Sequence, residues 1–500
     1  VVDVLIQNHI IDGVPVEPAS GEYIDILNPV NGELAGRAAA GSAQDVDVAV
    51  AAAVRAYPLW KKTPLAERAT MISQLALGLA VFMEELIELE VRCTGLLAGR
   101  LRGADFPAIM QFVQTFSEGL EGYPFVEYPP VHVLPEAYDV RVVKQPLGVC
   151  GLIPAWNAPL FLSFAKILPA IAAGNTVVLK PSESASLAVT RAVELMQGIL
   201  PPGVVNVVTG YGHEAGDALV RHPDVAKISF TGSDTTGKVI QRAAADTLKR
   251  VTLELGGKGP GIALPEAPIE LTARGASTAY LLGSGQICVS GTRLFLHDSI
   301  HDAVVERMTE IATGLVGGDP HDESVTLGPM AFRGHYQRVL DYLEVGKAEG
   351  ATVACGGGPM KVAGFEEGLF VQPTIFTDVT PDMRIYREEI FGPVLSVIRY
   401  TDVHEAIAMA NDSCFGLSAG VWGPDPLAAQ AVANELEAGT VWVNDWHALT
   451  PELSFGGVKQ SGYGREIGLS SLEDYLATRN SITAFETDPD AKMNFAQVCR

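Results

Sequence analysis

The chain has no CxxC pair, a shortage of positive charge and no uninterrupted apolar run long enough to cross a bilayer. Its six cysteines (93, 150, 288, 355, 414 and 499) fall at unrelated spacings in 500 residues. Neither a metal ribbon nor a disulfide framework fits them, and a chain of this size has no need of covalent staples. No metal site is expected, and the setting implied is reducing and cytoplasmic. Lys and Arg number 35 against 59 Asp and Glu, a formal net charge of -24. Nucleic acids and anionic membrane surfaces both need clustered cations, so neither is expected as a partner. The longest apolar stretch, 161–173, is broken by Ser163, Lys166 and Pro169, which argues against a spanning helix. The opening VVDVLIQNHIIDG alternates polar and apolar residues, unlike the core of a signal peptide.

What remains is a globular chain of two or three domains. Ala-rich segments at 45–56 and 65–90 have helical periodicity. From 149 onward the pattern changes. VCGLIP (149–154), NTVVLKP (175–181), VVNVVTG (204–210) and KISFTGS (227–233) are short buried strands separated by helical segments, with a helix expected from Thr235. Strand alternating with helix predicts α/β architecture with a doubly wound parallel sheet. A second such series follows, with strands at 292–297, 394–400 and 439–444. The expected division is a cofactor-binding domain from 1–137 and 150–254, and a catalytic domain from 255–455. The polar, alternating stretches 138–149 and 476–489 are expected to form an oligomerisation arm.

Six short motifs carry chemistry. GQICVSGTR (285–293) sets Cys288 among small residues, where a thiolate could reach a substrate; a buried core cysteine is the competing reading. In LELGGKGPGIAL (253–264), Glu254 ends an apolar strand, where desolvation would suit it to general-base work; an acid facing water is the alternative. PAWNAPL (154–160) holds Asn157 between prolines as an oxyanion donor or a simple turn residue. FTGSDTTGK (230–238) places Gly232, Ser233 and Gly237 between strand and helix, a phosphate turn. Lys180, Ser182 and Glu183 of VVLKPSE stand just past a strand end, where Glu183 could hold ribose hydroxyls and would repel a 2′-phosphate. REEIFGPV (387–394) offers Glu389 for a second ribose.

In this combination, with SFGGVKQSGYGRE downstream, the chain resembles the aldehyde dehydrogenase superfamily over nearly its whole length. The resemblance implies a Rossmann-type sheet domain, an α/β catalytic domain and a small β arm, assembled as homodimers or homotetramers. It implies Cys288 as nucleophile, Glu254 as general base, and Asn157 with the Cys288 N–H as oxyanion hole. Ile153, Trp156, Lys180, Ser182, Glu183, Gly232, Ser233, Gly237, Leu255, Glu389 and Phe391 would bind NAD, with NADP an alternative. Lys166 and Glu466 would support cofactor seating or proton relay.

Ala158 and Ala165 stand where relatives carry aromatics. With Leu162, Leu282, Ile287, Val289, Leu449 and Phe455, they predict a wide apolar tunnel and a bulky hydrophobic aldehyde, unless bulk elsewhere compensates. A semialdehyde substrate would require a cation at the tunnel, and the mapped positions hold none. A CoA-acylating enzyme disagrees with the presence of Glu254, and a non-catalytic structural protein with that of Cys288 and Glu254. Asp234 beside the phosphate turn is an unexplained negative charge.

Overall fold

The structure is a computed structural model describing residues 4–130, 138–492, 494, 495 and 498. The first three residues of the opening stretch, the 131–137 end of the first segment and Cys499 lie outside the described residues.

The centre is an eight-stranded sheet. Five of its strands are parallel: β1 (Val149–Ile153), β2 (Thr176–Leu179), β3 (Val205–Val207), β4 (Val225–Thr231) and β5 (Arg250–Glu254). They lie in the order β5-β4-β1-β2-β3. Every residue of β1, β2 and β3 is buried, as expected of apolar strands covered on both faces. Helix α1 (Pro159–Ala172) connects β1 to β2, and α2 (Asp234–Ala244) connects β4 to β5. The chain leaves β1 toward β2 and returns to its other side at β4. That reversal opens a crevice beyond the carboxyl ends of β1 and β4.

A seven-stranded sheet forms the second half. Its parallel strands are β6 (Gly259–Ala263), β7 (Gly291–His297), β8 (Thr374–Thr377), β9 (Val394–Tyr400), β10 (Ser418–Trp422) and β11 (Thr440–Val443). Helices α3 (Ile269–Leu281) and α4 (Arg333–Ala348) belong to this half. A third, three-stranded sheet pairs Tyr138–Pro146 with Leu476–Ala484, antiparallel and in register from Leu476 opposite Pro146 to Ala484 opposite Tyr138. Both strands are shorter than expected: the first stops at Pro146, shortly before β1 begins, and the second at Ala484.

The 65–90 periodicity resolves into two helices, Leu65–Val81 and Met83–Thr94, bent by 72° at Phe82. Among the described residues, no single helix is long and apolar enough to cross a membrane.

Candidate active site

The crevice is built from strand ends. Ile153 closes β1, and Lys180, Ser182 and Glu183 follow β2. Lys180 Nζ meets Glu183 Oε2 at 3.2 Å. At the start of α2, the Ser233 hydroxyl accepts from the Thr236 N–H at 3.2 Å, capping the helix beside its free N–H groups. A Cβ on Gly232 would stand 2.5 Å from the Phe230 ring. Gly237 has a different role from the phosphate contact expected of it. A Cβ there would lie 2.7 Å from Leu255 Cδ2, so its bareness lets α2 pack on the segment after β5. The Asp234 carboxylate is paired with Lys238 Nζ at 2.7 Å, which neutralises its charge in the helix's first turn. These groups and an apolar wall of Val220, Val239, Ile240 and Ala243 enclose about 610 Å³. An apolar slot, a carboxylate for ribose and a helix N-terminus together fit a dinucleotide.

A cavity of about 270 Å³ shares Trp156, Thr231, Gly232 and Ser233 with the crevice, so the two are continuous. Cys288, Glu254 and Asn157 all lie on its wall. Cys288 arrives there through a tight turn, Leu282–Gly285, with Gly283, Ser284 and Gly285 at φ +60°, +58° and +74°. A Cβ on Gly285 would stand 2.2 Å from the Gly392 carbonyl oxygen, so glycine alone lets the turn press against the Glu389–Phe391 stretch.

The Cys288 thiol is only partly accessible. Burial pushes it up to about 12, and the Glu389 and Glu254 carboxylates add to that. Glu254 is not the water-facing acid of the alternative reading. Both its oxygens are buried without a hydrogen-bond partner among the described residues. Burial, then the charge of Glu466, holds its carboxyl well above the usual carboxylate range. Asn157 sits just before α1, its Nδ2 donating to the Gln286 carbonyl at 2.9 Å. Gln286 is itself fixed by Ala331 N–H at 3.0 Å and the Pro329 carbonyl at 3.1 Å.

Glu389 Oε1 accepts from the Gly257 N–H at 2.9 Å, and a Cβ on Gly256 would fall 2.2 Å from its other oxygen. Phe391 stands at φ +64° and meets Trp156 edge-on at 5.4 Å. Two residues of α4 that carry no sequence motif hold this stretch. His335 Nε2 bonds the Phe391 carbonyl and Arg338 Nη2 bonds the Glu389 carbonyl at 2.8 Å. Phe332, His335 and Arg338 also line the cavity. Phe332 immediately precedes α4, and His335 and Arg338 follow within it at three-residue spacing, on one face of the helix. Behind the cavity, Lys166 and Glu466 form a buried ion pair bridged by Ser229, which lies 3.1 Å from Lys166 Nζ and 2.7 Å from Glu466 Oε1.

The substrate set divides. Leu162 is on the cavity wall, and Ala158 is buried at the start of α1. Ile287 and Phe455 pack with Cys288 against the core of the second sheet. Ala165 and Val289, each 2% exposed, are core residues. The small size of Ala165 therefore widens no tunnel; Phe112 and Phe161, packed at 5.1 Å, supply bulk in the same core. Leu282 borders a separate depression with Arg274 and Arg307, and Leu449 is 43% exposed.

A dinucleotide crevice opening onto a thiol, an acid and an amide is the arrangement of an oxidoreductase site. The chain belongs to the aldehyde dehydrogenase family, whose model matches residues 16–481. It is 41% identical to betaine aldehyde dehydrogenase of Brucella anthropi, over 94% of this chain and 95% of that one. It is 39% identical to a chloroplastic aminoaldehyde dehydrogenase of Arabidopsis thaliana, over 96% of each. Among solved structures, PnpE from Pseudomonas sp. WBC-3 superposes with a TM-score of 0.93 at 39% identity, covering 97% of this chain and 99% of PnpE. Betaine aldehyde dehydrogenase of Staphylococcus aureus, solved with NAD+, gives 0.94 at 36% identity, covering 97% and 96%.

Proposed function

We propose that the protein oxidises an aldehyde to the carboxylic acid, with NAD+ and water, through a thioester on Cys288. The observation that carries this is the meeting of the Cys288 thiol, the Glu254 carboxylate and the Asn157 amide on one cavity wall continuous with the crevice. Glu254, with its high proton affinity, takes the thiol proton as the sulfur bonds to the carbonyl carbon. The displaced electron pair goes to oxygen, where Asn157 Nδ2 and the Cys288 N–H hold it. NAD+, when bound, supplies the hydride acceptor that converts this adduct to a thioester. Glu254 releases that first proton to solvent, then takes one from water whose oxygen adds to the thioester carbon, and returns it to the departing sulfur. The C–S bond breaks and the thiol is restored.

Glu183 at the ribose end favours NAD over NADP, because a 2′-phosphate would meet its charge. The 138–146 and 476–484 strands would join copies in a homodimer or homotetramer through exposed groups such as Ile482 and, just past the second strand, Phe485. The aldehyde would have an uncharged, apolar body beside its carbonyl. Leu162, Ile287 and Phe455 support this, since they offer such a body hydrocarbon surface and no charge. The names of the two curated relatives favour a second reading, an ammonium-bearing aldehyde.

A panel of neutral apolar, ammonium-bearing and short aldehydes, followed by NADH formation beside a Cys288→Ala control, tests both. The proposal expects turnover that depends on Cys288 and favours apolar bodies. Turnover surviving Cys288→Ala overturns the mechanism, and a preference for ammonium-bearing aldehydes overturns the apolar reading.

A further inference from the structure

The LELGGK turn holds a second charged side chain besides Glu254. Lys258 stands just before β6 and is 2% exposed. Its Nζ is buried and has no hydrogen-bond partner among the described residues. An ammonium kept from water is costly unless an anion answers it.

The groups around Lys258 narrow the choice of anion. Arg293 of β7 is a second buried cation, spent on the carbonyls of Lys258 at 3.0 Å, Met409 at 3.2 Å and Ala410 at 2.8 Å. Glu437 faces the same small cavity as Lys258 but is paired with Lys459 at 2.5 Å. Glu388 is engaged by Arg384 at 2.9 Å and by the Tyr342 hydroxyl at 2.6 Å. That leaves Glu389, whose carboxylate has no ion-pair partner within 4 Å among the described residues. It lies against Gly256 and the Gly257 N–H, the two residues before Lys258. The Lys258 charge acts on Glu389 more strongly than those of Arg338 and Asp234, which oppose one another. Burial pushes the Glu389 carboxyl up to about 7 and pulls the Lys258 ammonium down to about 7. Near neutral pH the two therefore titrate as one unit.

We infer that Lys258 is a positioning residue for the cofactor, taking up the proton that Glu389 gives up when the nicotinamide-side ribose of NAD+ docks. The inference rests on Glu389 as the ribose ligand and adds what keeps it ionised. Ribose hydroxyls donate hydrogen bonds, so they favour a carboxylate over a carboxylic acid. The proton leaves a Glu389 oxygen and ends on the Lys258 nitrogen. Acid and amine become carboxylate and ammonium, and the net charge of the pair is unchanged.

Calorimetric titration of the full-length protein with NAD+, in buffers of different ionisation enthalpy, reads both the affinity and the protons exchanged. The wild type is expected to exchange few protons with the buffer. Lys258→Met should release about one proton per NAD+ at about pH 6.5, because the acceptor is gone. Its Kd there should rise about tenfold, the difference between a charged and a neutral hydrogen-bond acceptor. The loss should fade toward about pH 9, where Glu389 ionises unaided. Lys258→Arg, whose charge is permanent, should bind NAD+ nearly as tightly as the wild type and guards against a folding defect. Glu389→Gln should weaken binding across the range, and adding Lys258→Met to it should cost nothing more.

A Kd unchanged in Lys258→Met at the lower pH, a loss of the same size at the higher pH, or a further loss on the Glu389→Gln background overturns the inference. Should Glu389→Gln bind NAD+ as tightly as the wild type, the ribose assignment of Glu389 falls and the inference with it, while the thiol chemistry at Cys288 stands.

Discussion

His335 Nε2 lies 2.7 Å from the Phe391 carbonyl oxygen, and Phe391 is held in the left-handed region at φ +64°. A bulky residue does not rest there unaided. Since a carbonyl can only accept, Nε2 must carry the proton. The neighbouring Arg338 bond to the Glu389 carbonyl fixes the same stretch, so α4 acts as a clamp on the cofactor side of the cavity. His335→Ala should let Phe391 and Glu389 drift. The expected result is a KM for NAD raised roughly tenfold, with about 1–3 kcal/mol of stability lost. Steady-state kinetics and urea unfolding check both, and an unchanged KM for NAD would remove the clamp.

The same ring makes the fold acid-sensitive. Burial holds both His335 and His447 down to about 4, against an ordinary value of 6.5. Protonation therefore favours the unfolded chain, which accepts the proton more readily. Their contribution to stability is complete above pH 6.5 and is lost as the pH falls toward 4. At pH 5 each neutral ring should have given up about 2 kcal/mol. Urea midpoints measured from pH 7 to pH 4.5 should fall steeply, and His335→Gln should flatten part of that slope. A pH-independent midpoint across this window contradicts the assignment.

Much of this was legible in the sequence, and the failures share a cause. Strands β1 to β4 were readable because a strand buried on both faces needs an unbroken β-branched or apolar run. Cys288, Glu254 and Asn157 were readable because each lies in a short motif. His335 and Arg338 were not, since they reach the site only through tertiary contacts. Ala165 and Val289 sit beside site residues in the chain, yet their side chains turn into the core. Proximity in sequence does not fix the direction of a side chain. The 72° bend at Phe82 was invisible because neither proline nor glycine marks it.

Glu254 is assigned two proton transfers, and replacing it should separate them. Its oxygens have no other partner to satisfy, so Glu254→Gln removes the base with little change of shape. Hydrolysis of the thioester should fall roughly 10²- to 10⁴-fold. If sulfur addition is slowed less, one equivalent of NADH forms in a burst and the acyl-enzyme accumulates. Stopped-flow measurement and intact-mass spectrometry would detect both. Turnover within a fewfold of wild type would exclude Glu254 as the base.

Gly259 is the residue that follows the LELGGK motif, and its missing side chain is explained first by the backbone carbonyl of Ser290 and only then by the Ser418 and Trp446 side chains. A Cβ there would stand 2.7 Å from the Ser290 carbonyl and 3.3 Å from Trp446 Cζ2. Trp446 stacks on Trp422 at 5.6 Å, and its Nε1 donates to the Val289 carbonyl at 2.7 Å. Bonds to the carbonyl next to Cys288 steady the nucleophile's backbone, so crowding at Gly259 is transmitted to the thiol. Gly259→Ser should destabilise the protein by about 1–3 kcal/mol, as overpacking does, and should lower kcat as well. Adding Trp446→Leu leaves the Ser290 contact in place and empties a buried site, so stability should fall further, and kcat should fall with it because the bond to Val289 would be gone. Differential scanning calorimetry and kcat on the single and double variants decide the matter; a kcat that does not fall further when Trp446 is lost would show that Trp446 fills space without positioning Cys288.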